Sequence, residues 1–313
     1  MKEIELKFEI ATKDIHDLKI FLNQWVNCDQ AEFESSSKIQ NNIHELKLFN
    51  TYYDTQDYYL RSNGCGLRIR GTQDKLNKQF EITVKHGNKA VAGLHERSEY
   101  NANLPDDHLD LTLLPSSAFP KDCNIENLQK MLHPIFSTHF DRQTWLISFA
   151  NSEIEVALDQ GEIISNEKSK SIQEVELEIK QGNKHDLINF AIELSRFNLH
   201  LFSQSKASRG YRLLKNAPVN RAPFSLQFKH DLSSLLNFWQ QNEEYALEIN
   251  DLAFYQQLLI QINEILANHD IAHESEFKQW QQAMTNIHSV YDFAYSPINT
   301  VLKLLLVARL NKE

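Results

Sequence analysis

Glu3-Ile4-Glu5-Leu6-Lys7 decides how the rest of the chain is read. Successive side chains of a β-strand point to opposite faces. Glu3, Glu5 and Lys7 therefore share one face, and Ile4, Leu6 and Phe8 the other. Taken alone, the charged face fits a solvated outer surface, where Glu and Lys usually lie. If buried, it would need ionic partners or metal. The other strands have to decide between these two readings.

They repeat the pattern. After the turn signal Asn63-Gly64-Cys65-Gly66, Arg68 and Arg70 share a face. Residues 79–86 set Glu81, Thr83 and Lys85 against Ile82 and Val84, and residues 93–103 place Arg97 beside Glu99. Residues 139–149 carry Arg142 opposite Trp145, Ile147 and Phe149, and residues 153–160 carry Glu153, Glu155 and Asp159. Residues 174–180 alternate Glu174, Glu176, Glu178 and Lys180 with Val175, Leu177 and Ile179, mirroring the opening strand. With residues 46–55 the count is about eight strands. A one-sided sheet in water rarely needs so many same-face residues of both signs. A sheet closed on itself explains them, with apolar sides outward under helices and charged sides lining a lumen. Such a lumen would offer acidic clusters to hard cations and basic clusters to an oxyanion.

Between the strands, Ile15, Leu18, Leu22 and Trp25 recur at helical spacing, with Thr12 placed to cap them. A polar loop is expected at about 29–44, and a short helix at Ile125–Leu132 after a Pro-containing loop. Leu187, Phe190, Ala191, Leu194 and Phe197 mark an amphipathic helix. Lys206 and Arg209 then stand three apart, so that on a helix they project from one side. Gly210 is the last glycine, and Pro218 and Pro223 read as a linker. Beyond them the period is helical to the end, with Ser296-Pro297 opening a last helix at about 297–311. The expected fold class is α+β. It comprises a sheet of about eight strands closed on itself into a barrel, with covering helices, over 1–215, and a small C-terminal helical bundle over 222–313.

Composition narrows the function classes. At 42% hydrophobic and 24% charged residues the chain is globular, and its net charge of −10 argues against a general nucleic-acid binder. Cys28, Cys65 and Cys123 form no C-x-x-C pair, so neither a disulfide framework nor a thiolate metal site is expected. The charged strand begins at residue 2, leaving no room for a signal peptide, and Val301–Leu310 is too short and too interrupted to span a membrane. A cytoplasmic protein without a membrane or nucleic-acid partner is expected. Protein partners are not legible.

The ordered set of motifs resembles the CYTH domains, the triphosphate tunnel metalloenzymes. It starts from the E-x-E-x-K stretch of Glu3, Glu5 and Lys7 and runs through Tyr53-Asp54-Thr55, Gly66-Leu67-Arg68-Ile69-Arg70 and Glu81-Ile82-Thr83-Val84-Lys85. It continues through Arg97-Ser98-Glu99, Arg142, Ala157-Leu158-Asp159, Glu176-Leu177-Glu178 and Lys206–Gly210. The resemblance implies an eight-stranded antiparallel β-tunnel that binds triphosphates with divalent metal, Mg²⁺ or Mn²⁺ at two sites, with Lys206 and Arg209 placed as a lid at its mouth. On that footing Glu3, Glu5, Asp159, Glu176 and Glu178 are metal candidates, and Lys7, Glu5 and Glu176 are candidates for the chemistry. Lys7, Arg68, Arg70, Lys85, Arg97, Arg142, Lys206 and Arg209 are candidates for the anion cradle.

The expected activity is hydrolysis of inorganic triphosphate to pyrophosphate and phosphate. The alternatives are a thiamine- or nucleoside-triphosphatase, a class IV adenylate cyclase, or a non-catalytic polyphosphate-binding module. The Lys–Tyr pair of the family's short phosphatases looks absent, since no tyrosine lies between residues 9 and 51. The C-terminal part invites comparison with CHAD helical domains. It is shorter, however, and between Arg221 and Glu313 it carries 6 basic against 11 acidic residues. It reads as a truncated or unrelated helical buttress.

Overall fold

The structure, a computed structural model, describes residues 2–32, 42–74, 77–91, 93–202 and 204–311. The period-2 stretches form strands β1 (Lys2–Ile10), β2 (Ile43–Asp54), β3 (Cys65–Gln73), β4 (Lys78–Val91) and β5 (Leu94–Leu104). Then follow β6 (His133–Phe149), β7 (Ser152–Ser165), β8 (Lys168–Gln181) and the short β9 (Leu199–Leu201). Neighbours run β5-β4-β3-β2-β6-β7-β8-β1, and β1 pairs back onto β5, so eight antiparallel strands close a barrel. β5 takes the first half of β1, at Lys2–Leu6, and β9 takes its end, at Phe8–Ile10.

The helices are α1 (Ile15–Glu32), α2 (Tyr59–Ser62), α3 (Ile125–Met131), α4 (Lys184–Leu194) and α5 (Lys206–Leu214). The C-terminal set is α6 (Leu232–Ile249), α7 (Leu252–Leu266), α8 (Ser275–Met284), α9 (Val290–Ala294) and α10 (Pro297–Leu310). Most of the expected loop at 29–44 falls on residues 33–41, outside the described residues, while α1 runs on through 29–32. Thr12 does not cap α1, because a short 3-10 turn precedes that helix and the Thr12 hydroxyl bonds the Gln173 side chain. Ser296 does cap α10, accepting from the Asn299 amide with Pro297 in the first turn.

Apolar outer faces hold the barrel to its helices. Leu6, Phe8, Val156, Val175 and Leu177 join Leu18, Leu22, Phe190, Trp239, Tyr255, Trp280 and Leu302 in one buried cluster that continues from the barrel into α6–α10. A buried Leu or Phe contributes roughly 1.5–3 kcal/mol, so this contact is a large part of what fixes β1. A second cluster packs Leu67, Ile69, Ile82 and Val84 under Leu60, Leu111 and Leu128.

The lumen is not charged along its whole length. Leu48, Tyr52, Phe136, Phe140, Ile163 and Ile172 pack with Tyr211 of α5, so one end is filled by apolar side chains as in an ordinary small barrel. Gly210 allows this approach, since a Cβ there would lie 2.2 Å from the Phe136 ring. The tunnel is therefore blind at the α5 end.

Buried charge also ties the C-terminal helices together. Glu243 is fully buried and accepts from His200 Nε2 (2.9 Å), Tyr255 Oη (2.5 Å), Asn299 Nδ2 (3.0 Å) and the ammonium of Lys303. Among the described residues, no helix is long and apolar enough to cross a membrane.

Candidate functional site

A cavity of about 640 Å³ opens into the lumen, lined by side chains from β1 to β8 and from α5. Its lining carries nine basic and seven acidic residues, a positive surplus within a chain of net charge −10. Strand register explains how the charges are sorted. Glu155 of β7 stands opposite Glu178 of β8, and Glu178 stands opposite Glu5 of β1. Like charges directly opposite repel across a sheet. Burial, and then Glu3 and Glu155, accordingly push the Glu178 carboxyl above its ordinary value despite its contact with Lys180 (2.9 Å). Glu5 is buried, with one oxygen on Lys7 (2.8 Å) and Oε1 enclosed without a partner.

The next row holds Lys7 opposite Glu176. Lys7 lies 2.8 Å from Glu5 and 2.6 Å from Glu176, whose attraction outweighs the cost of burial and raises its pKa. Despite burial, Lys206, Lys7 and Arg142 hold the Glu176 carboxyl well below the usual range. One row deeper, Asp159 and Glu174 are fully buried. With Glu176 they surround Lys206 Nζ at 2.6, 2.5 and 3.0 Å. That acidic cluster could be mistaken for a metal site, but the cation it holds is an ammonium supplied by α5.

The facing wall is basic. Arg68 and Arg70 of β3, Arg97 of β5 and Arg142 of β6 all reach the cavity. Arg142 grips Asp159 with two bonds of 2.7 Å and Glu176 with a third. Burial, and then Arg68 and Arg142, push Arg70 down to about 9, outweighing Tyr52 and Glu81, the latter opposite it in register. Arg68 Nε and Arg97 Nε are enclosed donors without partners. Burial would raise the Tyr52 phenol, but Arg68, Arg70 and Lys206 outweigh it and hold it low. Lys85 pairs with Glu3 (2.7 Å) and Glu99 (3.0 Å).

Of the residues expected in the site, Glu3, Glu5, Lys7, Arg68, Arg70, Lys85, Arg97, Arg142, Glu176, Glu178 and Lys206 come together on the lining. Asp159 lies beneath it, behind Arg142 and Lys206. Arg209 does not reach the cavity: it is 1% exposed, ion-paired to Glu174, and its Nη1 donates to the Ser171 carbonyl at 3.4 Å. Lys206 and Arg209 therefore bolt α5 to the floor and do not form a lid. Glu155 and Lys180, on charged strand faces but not among the expected site residues, also reach the lining, and Asn50, Tyr52 and His95 share the inner face without a sequence signal of their own. Alternation puts each inward, but only cross-strand register shows what it meets.

Comparison with known proteins bears on the same residues. A family model described as CYTH domain matches residues 1–211. An inorganic triphosphatase of Haemophilus influenzae is 38% identical over 216 residues, covering 68% of this chain and 55% of that protein. The chain thus aligns with about half the length of that relative. Among solved structures, a protein from Hippeastrum described as revealing a dominant triphosphatase activity is 14% identical, with TM-score 0.46, covering 67% of this chain and 95% of that one. A protein from Pyrococcus horikoshii is 13% identical, with TM-score 0.40, covering 66% and 97%.

Proposed function

The chain belongs to the CYTH domain family, and from that premise we propose that it is a divalent-metal-dependent triphosphatase that splits inorganic triphosphate into pyrophosphate and phosphate inside the blind tunnel. The observation that carries this reading is the sorting of charge in one cavity, with a carboxylate row of Glu155, Glu178 and Glu5 facing the Arg68, Arg70 and Arg142 wall. Phosphoryl transfer asks a protein mainly to position its substrate and neutralise charge, and this cavity is built for both.

The donor chemistry suits a hard cation. The unpartnered Glu5 Oε1 and the repelled Glu178 carboxyl belong to an all-oxygen set with Glu3 and Glu155, the kind Mg²⁺ and Mn²⁺ accept, whose oxygens would have to draw together around the ion. When bound there, such an ion supplies charge neutralisation and a more acidic water. A second ion at Asp159, Glu174 and Glu176 would have to displace the Lys206 ammonium. Lys7, held protonated between Glu5 and Glu176, donates to a phosphoryl oxygen, and the arginines fork onto the remaining oxygens.

An organic substituent would need a free aromatic face. Tyr52 is stacked on Phe136 at 4.6 Å, Phe140 lies under Lys206 at 5.1 Å, and Tyr211 lies under Arg61 at 4.2 Å. Among the described residues, each aromatic ring on the lining is thus already covered, which supports inorganic triphosphate over a nucleotide. In the same reading 1–215 is the catalytic unit of a cytoplasmic enzyme, and 222–313 braces it. Phosphate release from triphosphate, ATP and thiamine triphosphate with Mg²⁺ or Mn²⁺ tests the reading. Triphosphate is expected to be cleaved fastest, and inactivity on all three would leave a polyphosphate-binding module.

A further inference from the structure

The lumen cations differ in what holds them. Lys7 sits between Glu5 and Glu176, Lys85 between Glu3 and Glu99, and Arg142 between Asp159 and Glu176. A cation already bonded to carboxylates has little net charge left for a ligand. Arg70 and Arg97 are held differently. Arg70 Nε donates to Asn50 Oδ1 at 3.0 Å, and Asn50 Nδ2 donates onward to Thr138 Oγ1 at 3.0 Å, with Asn50 and Thr138 both buried. Arg97 Nη2 lies 2.9 Å from His95 Nδ1, and His95 is 1% exposed. A guanidinium has no acceptor, so Nδ1 must accept and the imidazole proton sits on Nε2. Among the described residues, neither arginine is ion-paired to a carboxylate.

We propose that Asn50 and His95 are positioning residues for the substrate anion, each orienting an arginine through a neutral acceptor so that Arg70 and Arg97 keep their full charge for the phosphoryl oxygens. This rests on the triphosphate reading of the cavity. One further observation agrees with it. Arg97 Nε remains an enclosed donor awaiting an acceptor. A carboxylate at either position would hold the arginine at least as firmly and would cancel the charge that the ligand needs.

Asn50→Asp separates these roles, because it is nearly isosteric and the Thr138 hydroxyl can turn to donate to the new oxygen. The expected result is a KM for triphosphate raised about 10- to 100-fold, at 1.4 kcal/mol per tenfold, with kcat changed less than about threefold and melting temperature held. A purely structural Asn50 predicts an unchanged KM. At the second anchor, His95→Leu raises KM, His95→Gln restores it by returning a neutral acceptor, and His95→Glu does not. A folded Asn50→Asp or His95→Glu with wild-type KM overturns the assignment. If neither carboxylate variant folds, failure of His95→Gln to improve on His95→Leu overturns it as well. A wild-type chain that neither binds nor cleaves triphosphate sinks the functional reading instead, so the two failures are told apart.

Discussion

Glu178→Gln should make the metal-free protein more stable and its metal-dependent activity worse. Glu178 faces Glu5 on one side and Glu155 on the other. Two unit charges about 6 Å apart at an effective dielectric near 20 repel by about 3 kcal/mol. Lys180 at 2.9 Å offsets about as much as the two repulsions together, and partial exposure screens both. The balance still disfavours the charged form, since burial, Glu3 and Glu155 hold the carboxyl above its ordinary value of 4.5. About 1 kcal/mol of net relief, or about 1–2 °C in melting temperature, is expected for the variant in EDTA. The sign in pH follows: a raised folded-state pKa means that folding penalises the carboxylate at neutral pH. That penalty disappears as the group protonates, so the advantage of the variant shrinks as pH falls towards 4.5. With Mg²⁺ or Mn²⁺ the order reverses. A ligand at 100 times its Kd stabilises by about 2.7 kcal/mol, and Glu178→Gln forfeits part of that gain together with turnover. Melting curves in EDTA and across a metal titration, beside a phosphate-release assay, read all of this. A variant that melts lower in EDTA, or gains as much from metal as the wild type, refutes the account of the carboxylate row.

Three more outcomes follow from the packing. Lys206→Met takes from Asp159 and Glu174, both 0% exposed, one of their two cations, leaving Arg142 and Arg209, and should cost up to about 3–5 kcal/mol in denaturant titration, part of it recovered by Mn²⁺ entering the vacated cluster. Equal stability of that variant would mean that α5 is not anchored by charge. Gly210→Ala puts a methyl 2.2 Å from the Phe136 ring and should cost about 1–3 kcal/mol, read as a lower melting temperature. Glu243→Gln should lower stability by about 3–5 kcal/mol by leaving Lys303 buried without its counter-ion, yet leave the KM for triphosphate unchanged; a shifted KM would show that the helices tune the tunnel.

The tunnel was legible because alternation is local: Glu3, Glu5 and Lys7 declare a shared face within five residues, and eight such stretches imply closure. What each inner residue meets is not local. Glu155 stands on the same strand face as Asp159, yet pairing puts the first beside Glu178 in the open cavity and the second beneath Arg142 and Lys206. Lys206 and Arg209 do share a side of α5, but three residues advance a helix by about 4.5 Å. One ammonium therefore reaches the lining, while the guanidinium ends against Glu174 and Ser171. The blind end was hidden for a different reason. Phe136, Phe140, Ile163 and Ile172 point inward yet look, in sequence, like any outward apolar position, and only the inner partner Tyr211, from a distant helix, fixes their direction. Hydrophobicity reports that a face is buried without naming its cover. Charge is more informative, because a buried ion must have a partner. The acid–base alternation therefore located the cavity, and the neutral residues within it, Asn50 and His95, had to wait for register.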